Sequence, residues 1–119
     1  MPLIVATPFE DLRGVRVDSQ VSLVDVFPTV FALAGIPAST RVHGRSLLPL
    51  MYRRPDPQVY AYGESMAPNL QYGWSALHCL RSSRYKFISA PRLELYDLTN
   101  DPEETTNIAD REPGIARDM

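Results

Sequence analysis

Cys79 is the one thiol in the sequence and therefore its one candidate sulfur nucleophile. A nucleophilic cysteine needs a base within hydrogen-bond reach, and His78 is its neighbour. Adjacent residues on a strand point to opposite faces, so a dyad between these two is disfavoured. In the run Ala76-Leu77-His78-Cys79-Leu80 the cysteine reads as a small buried hydrophobe. His43 lies in a polar loop, and two histidines this far apart are no metal signature. The acidic residues Asp97, Asp101, Glu103 and Glu104 invite a calcium reading. Their spacing does not match the twelve-residue calcium loop with its central glycine, and Asp101-Pro102 reads as a turn. Glu64 falls at a strand end beside the link Ser65 to Trp74, which carries Tyr72 and Trp74. Loop aromatics next to a carboxylate can line a pocket mouth; equally, they can cap a small core. Lys86, between Tyr85 and Phe87, is expected to face solvent. A glycine-rich phosphate loop, G-x-S-x-G and H-E-x-x-H are all absent. No residue is therefore assigned to catalysis or to a metal.

The elements that must position these residues are short. Pro2-Leu3-Ile4-Val5-Ala6 is a continuous apolar run, expected as a strand buried on both faces, with no preceding segment to pair with. Glu10 to Gly14 reads as a loop, and Val15 to Val21 as an irregular connector. From Ser22 to Ala34, the residues Leu23, Val26, Phe27, Val30, Phe31 and Ala34 recur at three- and four-residue steps, which predicts an amphipathic helix. Ser22 or Asp25 can cap its start, and Gly35 with Pro37 ends it. Residues 37–57 are turn-rich, with a helical turn expected at Ser46 to Met51. Strands are expected at Gln58 to Glu64, Ser75 to Leu80, Tyr85 to Ser89 and Leu93 to Asp97. The tight links Ser82-Ser83 and Ala90-Pro91-Arg92 require antiparallel neighbours. The tail after Glu104 is expected to end in a helix.

These pieces make an α+β chain: a small antiparallel sheet of about four strands with an amphipathic helix. It divides into residues 1–57 and 58–119. At 119 residues, 45% hydrophobic and 22% charged, the composition is that of one small globular chain. Eleven arginines and one lysine face fourteen acidic residues, for a net charge of −2. No basic surplus exists to neutralise nucleic-acid phosphates, and no apolar stretch approaches the roughly 20 residues of a membrane span.

In order and spacing, several motifs together resemble the later part of a sulfatase catalytic domain. They are Pro2-Leu3-Ile4-Val5, Val21 to Thr29, Leu33 to Pro37, and Gly44-Arg45-Ser46-Leu47-Leu48-Pro49-Leu50. They continue with Arg84 to Ile88, Glu94-Leu95-Tyr96-Asp97-Leu98, and Asp101-Pro102-Glu103-Glu104 with Asn107. The resemblance is to bacterial arylsulfatase-like hydrolases of the alkaline phosphatase superfamily. It implies the C-terminal portion of a sulfatase-type α/β fold, where a small antiparallel sheet follows a large N-terminal one. Such enzymes use a formylglycine, made from the cysteine or serine of C-x-P/A-S-R, and a calcium held by aspartates with an asparagine or histidine. Those motifs lie upstream of the matched region. Cys79 is followed by Leu80-Arg81-Ser82-Ser83 and does not match the nucleophile motif.

The resemblance therefore implies a C-terminal fragment of a sulfuric ester hydrolase, inactive alone. It would complete the fold and shape the substrate entrance with Glu64, Tyr72, Trp74 and His78. A sulfate ester would bind only together with the missing N-terminal part. The exposed strand and helix would drive self-association. Two other readings stay open: a non-catalytic binding module, and a fragment of a related phosphodiesterase or phosphonate monoester hydrolase.

Overall fold

The computed structural model describes residues 3–37, 41–54 and 60–119. The chain divides into two compact units, Met1–Pro57 and Gln58–Met119.

Two buried polar residues organise the first unit. A 3-10 turn, Leu23–Asp25, runs into helix α1, Val26–Leu33. The Ser22 backbone N–H donates to the Asp25 carboxylate at 2.8 Å, satisfying a donor that a helix start leaves unpaired. The other Asp25 carboxylate oxygen accepts the Arg45 backbone N–H at 3.0 Å. One turn later the Thr29 hydroxyl donates to the Asp25 carbonyl at 2.6 Å and accepts the Leu47 N–H at 2.8 Å. These bonds tie residues 45–47 to the start of α1, beside the buried Leu47 and Leu50. Gly44 is required by the same approach, because a Cβ there would stand 2.0 Å from the Val24 carbonyl oxygen. α1 closes at Gly35, whose φ of +70° suits glycine. Helix α2, Leu48–Met51, forms where a helical turn is expected.

Two expectations for this unit need correction. Leu3-Ile4-Val5 forms no strand; it is irregular and exposed, with Ile4 at 89%. A strand needs a ladder partner for its backbone groups, and the described residues of this unit supply none. The apolar stripe of the helix lies open, and it is not the side that this unit buries. Leu23, Val26, Phe27 and Val30 are exposed, whereas Pro28 and Thr29 are buried. Hydrogen bonding to Asp25 and Thr29 decides which side faces in. Where a plain loop is expected near Glu10, residues Glu10–Leu12 form a short 3-10 turn.

The second unit is a four-stranded antiparallel sheet in the order β1-β2-β3-β4: Ala61–Ser65, Leu77–Arg81, Tyr85–Ser89 and Glu94–Asp97. The expected first strand started at Gln58; residues 58 and 59 lie outside the described set. Register places Tyr62, Glu64, His78, Leu80, Phe87 and Leu95 on one face. Leu95 is fully buried and centres the core. The Ser65 to Trp74 link is not the open loop expected: it contains helix α3, Ala67–Tyr72. Pro68 sits in its first turn, where a missing N–H costs nothing, and Gly73 ends it at φ +68°. Helix α4, Pro113–Asp118, forms in the tail.

The outer edge of β4 is covered by the chain itself. Ile108 N–H donates to the Leu95 carbonyl at 2.9 Å, and Leu95 N–H donates to Asn107 Oδ1 at 3.1 Å. Asn107 Nδ2 donates in turn to the Leu93 carbonyl at 3.0 Å. An edge that would otherwise pair with another chain is thereby closed. Among the described residues no helix is long and apolar enough to cross a membrane.

Candidate functional site

The β1–β2 pairing brings two of the four candidate residues together. Glu64 and His78 are directly opposed across the strands. Between them stands Tyr62, which the sequence reading passed over although it lies two residues before Glu64 and so on the same face. Its hydroxyl donates to Glu64 Oε2 at 2.8 Å and lies 2.8 Å from His78 Nδ1. The Tyr62 and His78 rings stack at 6.2 Å. The hydrogen bond to Glu64, then desolvation and the carboxylate charge, push the Tyr62 phenol above its ordinary pKa of 10.0.

Tyr72 and Trp74 form a second pair, with ring centroids 5.4 Å apart and planes tilted by 37°. Both are open to solvent, at 67% and 65% exposure. The excursion that carries them leaves β1 after Ser65 and rejoins β2 at Leu77, and those two residues are paired. The aromatic pair is therefore tethered at the rung next to Glu64 and His78.

Among the remaining chemical candidates, Lys86, Asp97, Asp101 and Glu104 have structural partners. Cys79 is half-buried in β2, opposite Gly63 and Ile88. Lys86 is not the solvent-facing lysine expected: it is half-buried and paired with Glu104. The alternation that turns Lys86 away from Phe87 points it toward the returning acidic segment, which strand periodicity alone does not show. Asp97 receives the Arg84 guanidinium at 3.0 Å, the Thr99 N–H at 3.1 Å and Asn100 Nδ2 at 3.0 Å. Arg84, foremost, holds the Asp97 carboxyl below its usual range. Asp101 accepts the Thr105 and Thr106 N–H groups, at 3.0 and 2.8 Å, and those bonds lower its pKa too. These carboxylates shape the turn after β4.

Calcium and formylglycine, which the resemblance implies for whole enzymes, do not fit the residues here. Among the described residues no three His, Cys, Asp or Glu side chains converge in a way that could hold a metal ion. Cys79 is a strand residue lacking the proline or alanine and the arginine of the nucleophile motif. An open cavity of about 270 Å³ in the first unit is lined by apolar residues such as Leu3, Val5, Leu12 and Leu47 together with Thr7, Asp18 and Ser19. The Asp18 carboxylate accepts from Arg16 at 3.0 Å.

A four-stranded antiparallel sheet with short helices, following in sequence a unit built on α1, is the architecture of a sulfatase C-terminal domain. The family model for the C-terminal part of N-sulphoglucosamine sulphohydrolase matches residues 1–116, and the chain belongs to that family. Arylsulfatase K of Danio rerio is 33% identical over 130 residues, an alignment covering 100% of this chain and 24% of that protein. The chain thus spans about a quarter of the length of the curated relatives it matches. A solved 2-O GAG sulfatase superposes with a TM-score of 0.61 at 28% identity, covering 79% of this chain and 22% of the other. The phosphonate monoester hydrolase of Agrobacterium radiobacter superposes with a TM-score of 0.57 at 22% identity, covering 77% and 22%; this likeness concerns the fold alone.

Proposed function

We propose that this chain works as the C-terminal part of a sulfuric ester hydrolase, completing its fold and forming one wall of the substrate entrance, and that it is inactive alone. The observation that carries the reading is the family match over residues 1–116, which takes in both units. The wall is the end of the sheet that carries Glu64, His78, Tyr72 and Trp74. Formylglycine and calcium belong to the rest of the enzyme. The exposed Leu3-Ile4-Val5 run and the exposed face of α1 are where that remainder packs, and burying each large side chain there contributes about 1.5–3 kcal/mol. In isolation the chain covers this surface by self-association, visible as concentration-dependent light scattering.

The DNA upstream of the Met1 codon tests the reading. An in-frame C-x-P/A-S-R motif and metal-binding aspartates are expected there; an unrelated coding sequence overturns it. The purified chain supplies the complementary test. It is expected to leave an aryl sulfate intact with or without added calcium, and chelator-sensitive turnover sinks the claim of inactivity.

A further inference from the structure

We infer that the outer edge of β1 is a dimer seam: β1 of a second copy pairs with it antiparallel about a two-fold axis through Gly63, joining the two sheets into one. The inference goes beyond the sulfatase reading and is decided separately from it, by this edge and not by the upstream DNA.

The two edges of this sheet differ. The 107–108 segment closes β4, whereas β1 is the other edge strand, and among the described residues no strand lies beyond it. Tyr62 to Ser65 are exposed. An open edge offers unpaired N–H and C=O groups to another strand, and proteins that keep such an edge single block it with lysine, proline or a bulge. β1 has none of these. Its sequence is Ala-Tyr-Gly-Glu-Ser, and its five residues pair with β2 in unbroken register. That sequence is also self-complementary, as a two-fold contact requires. Centred on Gly63, every residue of β1 finds an opposite number: Tyr62 faces the partner's Glu64, Glu64 faces the partner's Tyr62, and Ala61 faces the partner's Ser65. On one side of the sheet each phenol, a donor, meets a carboxylate, an acceptor. On the other side only small residues meet, so nothing holds the two backbones apart. Centring the pair on Glu64 instead would oppose two carboxylates and pair fewer residues. In the Gly63 register Glu64 lies between His78 of its own chain and the partner's Tyr62, so the second copy adds a phenol to the Glu64–His78 pair.

Gly63 supplies the test. A Cβ there meets nothing within 4 Å, and its φ lies outside the left-handed region, so the single chain tolerates a side chain at this position. In the two-fold register the same side chain faces its own copy. Sedimentation equilibrium is run on the 119-residue chain up to about 1 mM, the range in which a small interface associates. Ile4→Asp with Phe27→Asp serves as the background, silencing association through the exposed apolar residues of the first unit. This background is expected to dimerise reversibly. Adding Gly63→Lys sets two ammonium groups against one another and is expected to weaken the dimer about tenfold or more, with the far-UV spectrum unchanged. Gly63→Ser is expected to keep the dimer. In the unsubstituted chain, amide NMR shifts of residues 61–65 are expected to move with concentration, and those of 94–97 to stay fixed. A background variant that remains monomeric at about 1 mM overturns the inference. So does a dimer indifferent to Gly63→Lys, or a set of β1 amide shifts that ignores concentration.

Discussion

The Thr29 hydroxyl accepts the backbone N–H of Leu47 at 2.8 Å while donating to the Asp25 carbonyl at 2.6 Å. One buried side chain thus joins α1 to the segment that leads into α2. Thr29→Val keeps the shape and leaves the Leu47 N–H buried without its acceptor. The expected destabilisation is about 1–3 kcal/mol, read as a lower urea midpoint, with Thr29→Ser retaining most of the stability.

Gly44 answers a steric demand at the same junction. A methyl group there would meet the Val24 carbonyl oxygen at 2.0 Å, and the obstacle is backbone that cannot rotate away. Gly44→Ala is expected to separate residues 44–47 from α1. Hydrogen exchange should show loss of protection at the Arg45 and Leu47 amides, while the Leu95 amide in the other unit stays protected.

Leu95 carries the core of the sheet. It is fully buried, and its N–H and carbonyl both bond the 107–108 segment. Leu95→Ala is expected to cost about 2–5 kcal/mol through lost burial and the cavity left behind. Leu95→Met, close in volume, is expected to cost less than about 1.5 kcal/mol. Thermal unfolding of the two variants side by side checks the difference.

Acid should loosen the turn after β4. Asp97 is held below the ordinary carboxylate value of 3.8 chiefly by Arg84, and Asp101 chiefly by the Thr105 and Thr106 amides. A folded-state pKa below the unfolded one contributes stability that is complete above the unfolded value and is lost as pH falls through the folded value. Stability is therefore expected to decline from about pH 4 downward, and Asp97→Asn to flatten that slope in urea titrations at stepped pH.

The Tyr62 phenol should report its partner. Glu64 is the main cause of its raised pKa, first through the hydrogen bond it accepts. Glu64→Gln is expected to bring Tyr62 ionisation back toward 10.0, followed by NMR of the ring carbon bearing the hydroxyl. An unchanged titration would show that Glu64 is not its partner in solution.

Much of the second unit was legible because its signals are local. Alternating residues and tight links define an antiparallel meander, and the β-strand bounds differ from expectation by only one to three residues at most ends. The pairing of Glu64 with His78 was not legible, since register depends on how β1 and β2 slide against one another. Tyr62 stayed hidden for the same reason. Its role exists only once a partner strand brings an imidazole to its hydroxyl. The helix in the Ser65 to Trp74 link was missed because its six residues carry too short a period to read.

What the amino-acid order determined by itself was the kind of parts: a helix capped by Ser22 or Asp25 and ended by Gly35, four short strands, and a family pattern running through both units. The tertiary structure alone decided what those parts face. α1 turns inward the side bearing Pro28 and Thr29, because buried backbone amides need acceptors more urgently than an apolar stripe needs cover. Lys86 meets Glu104, and Tyr62 comes between Glu64 and His78, because such contacts join residues distant in sequence whose separation collapses only when the sheet forms.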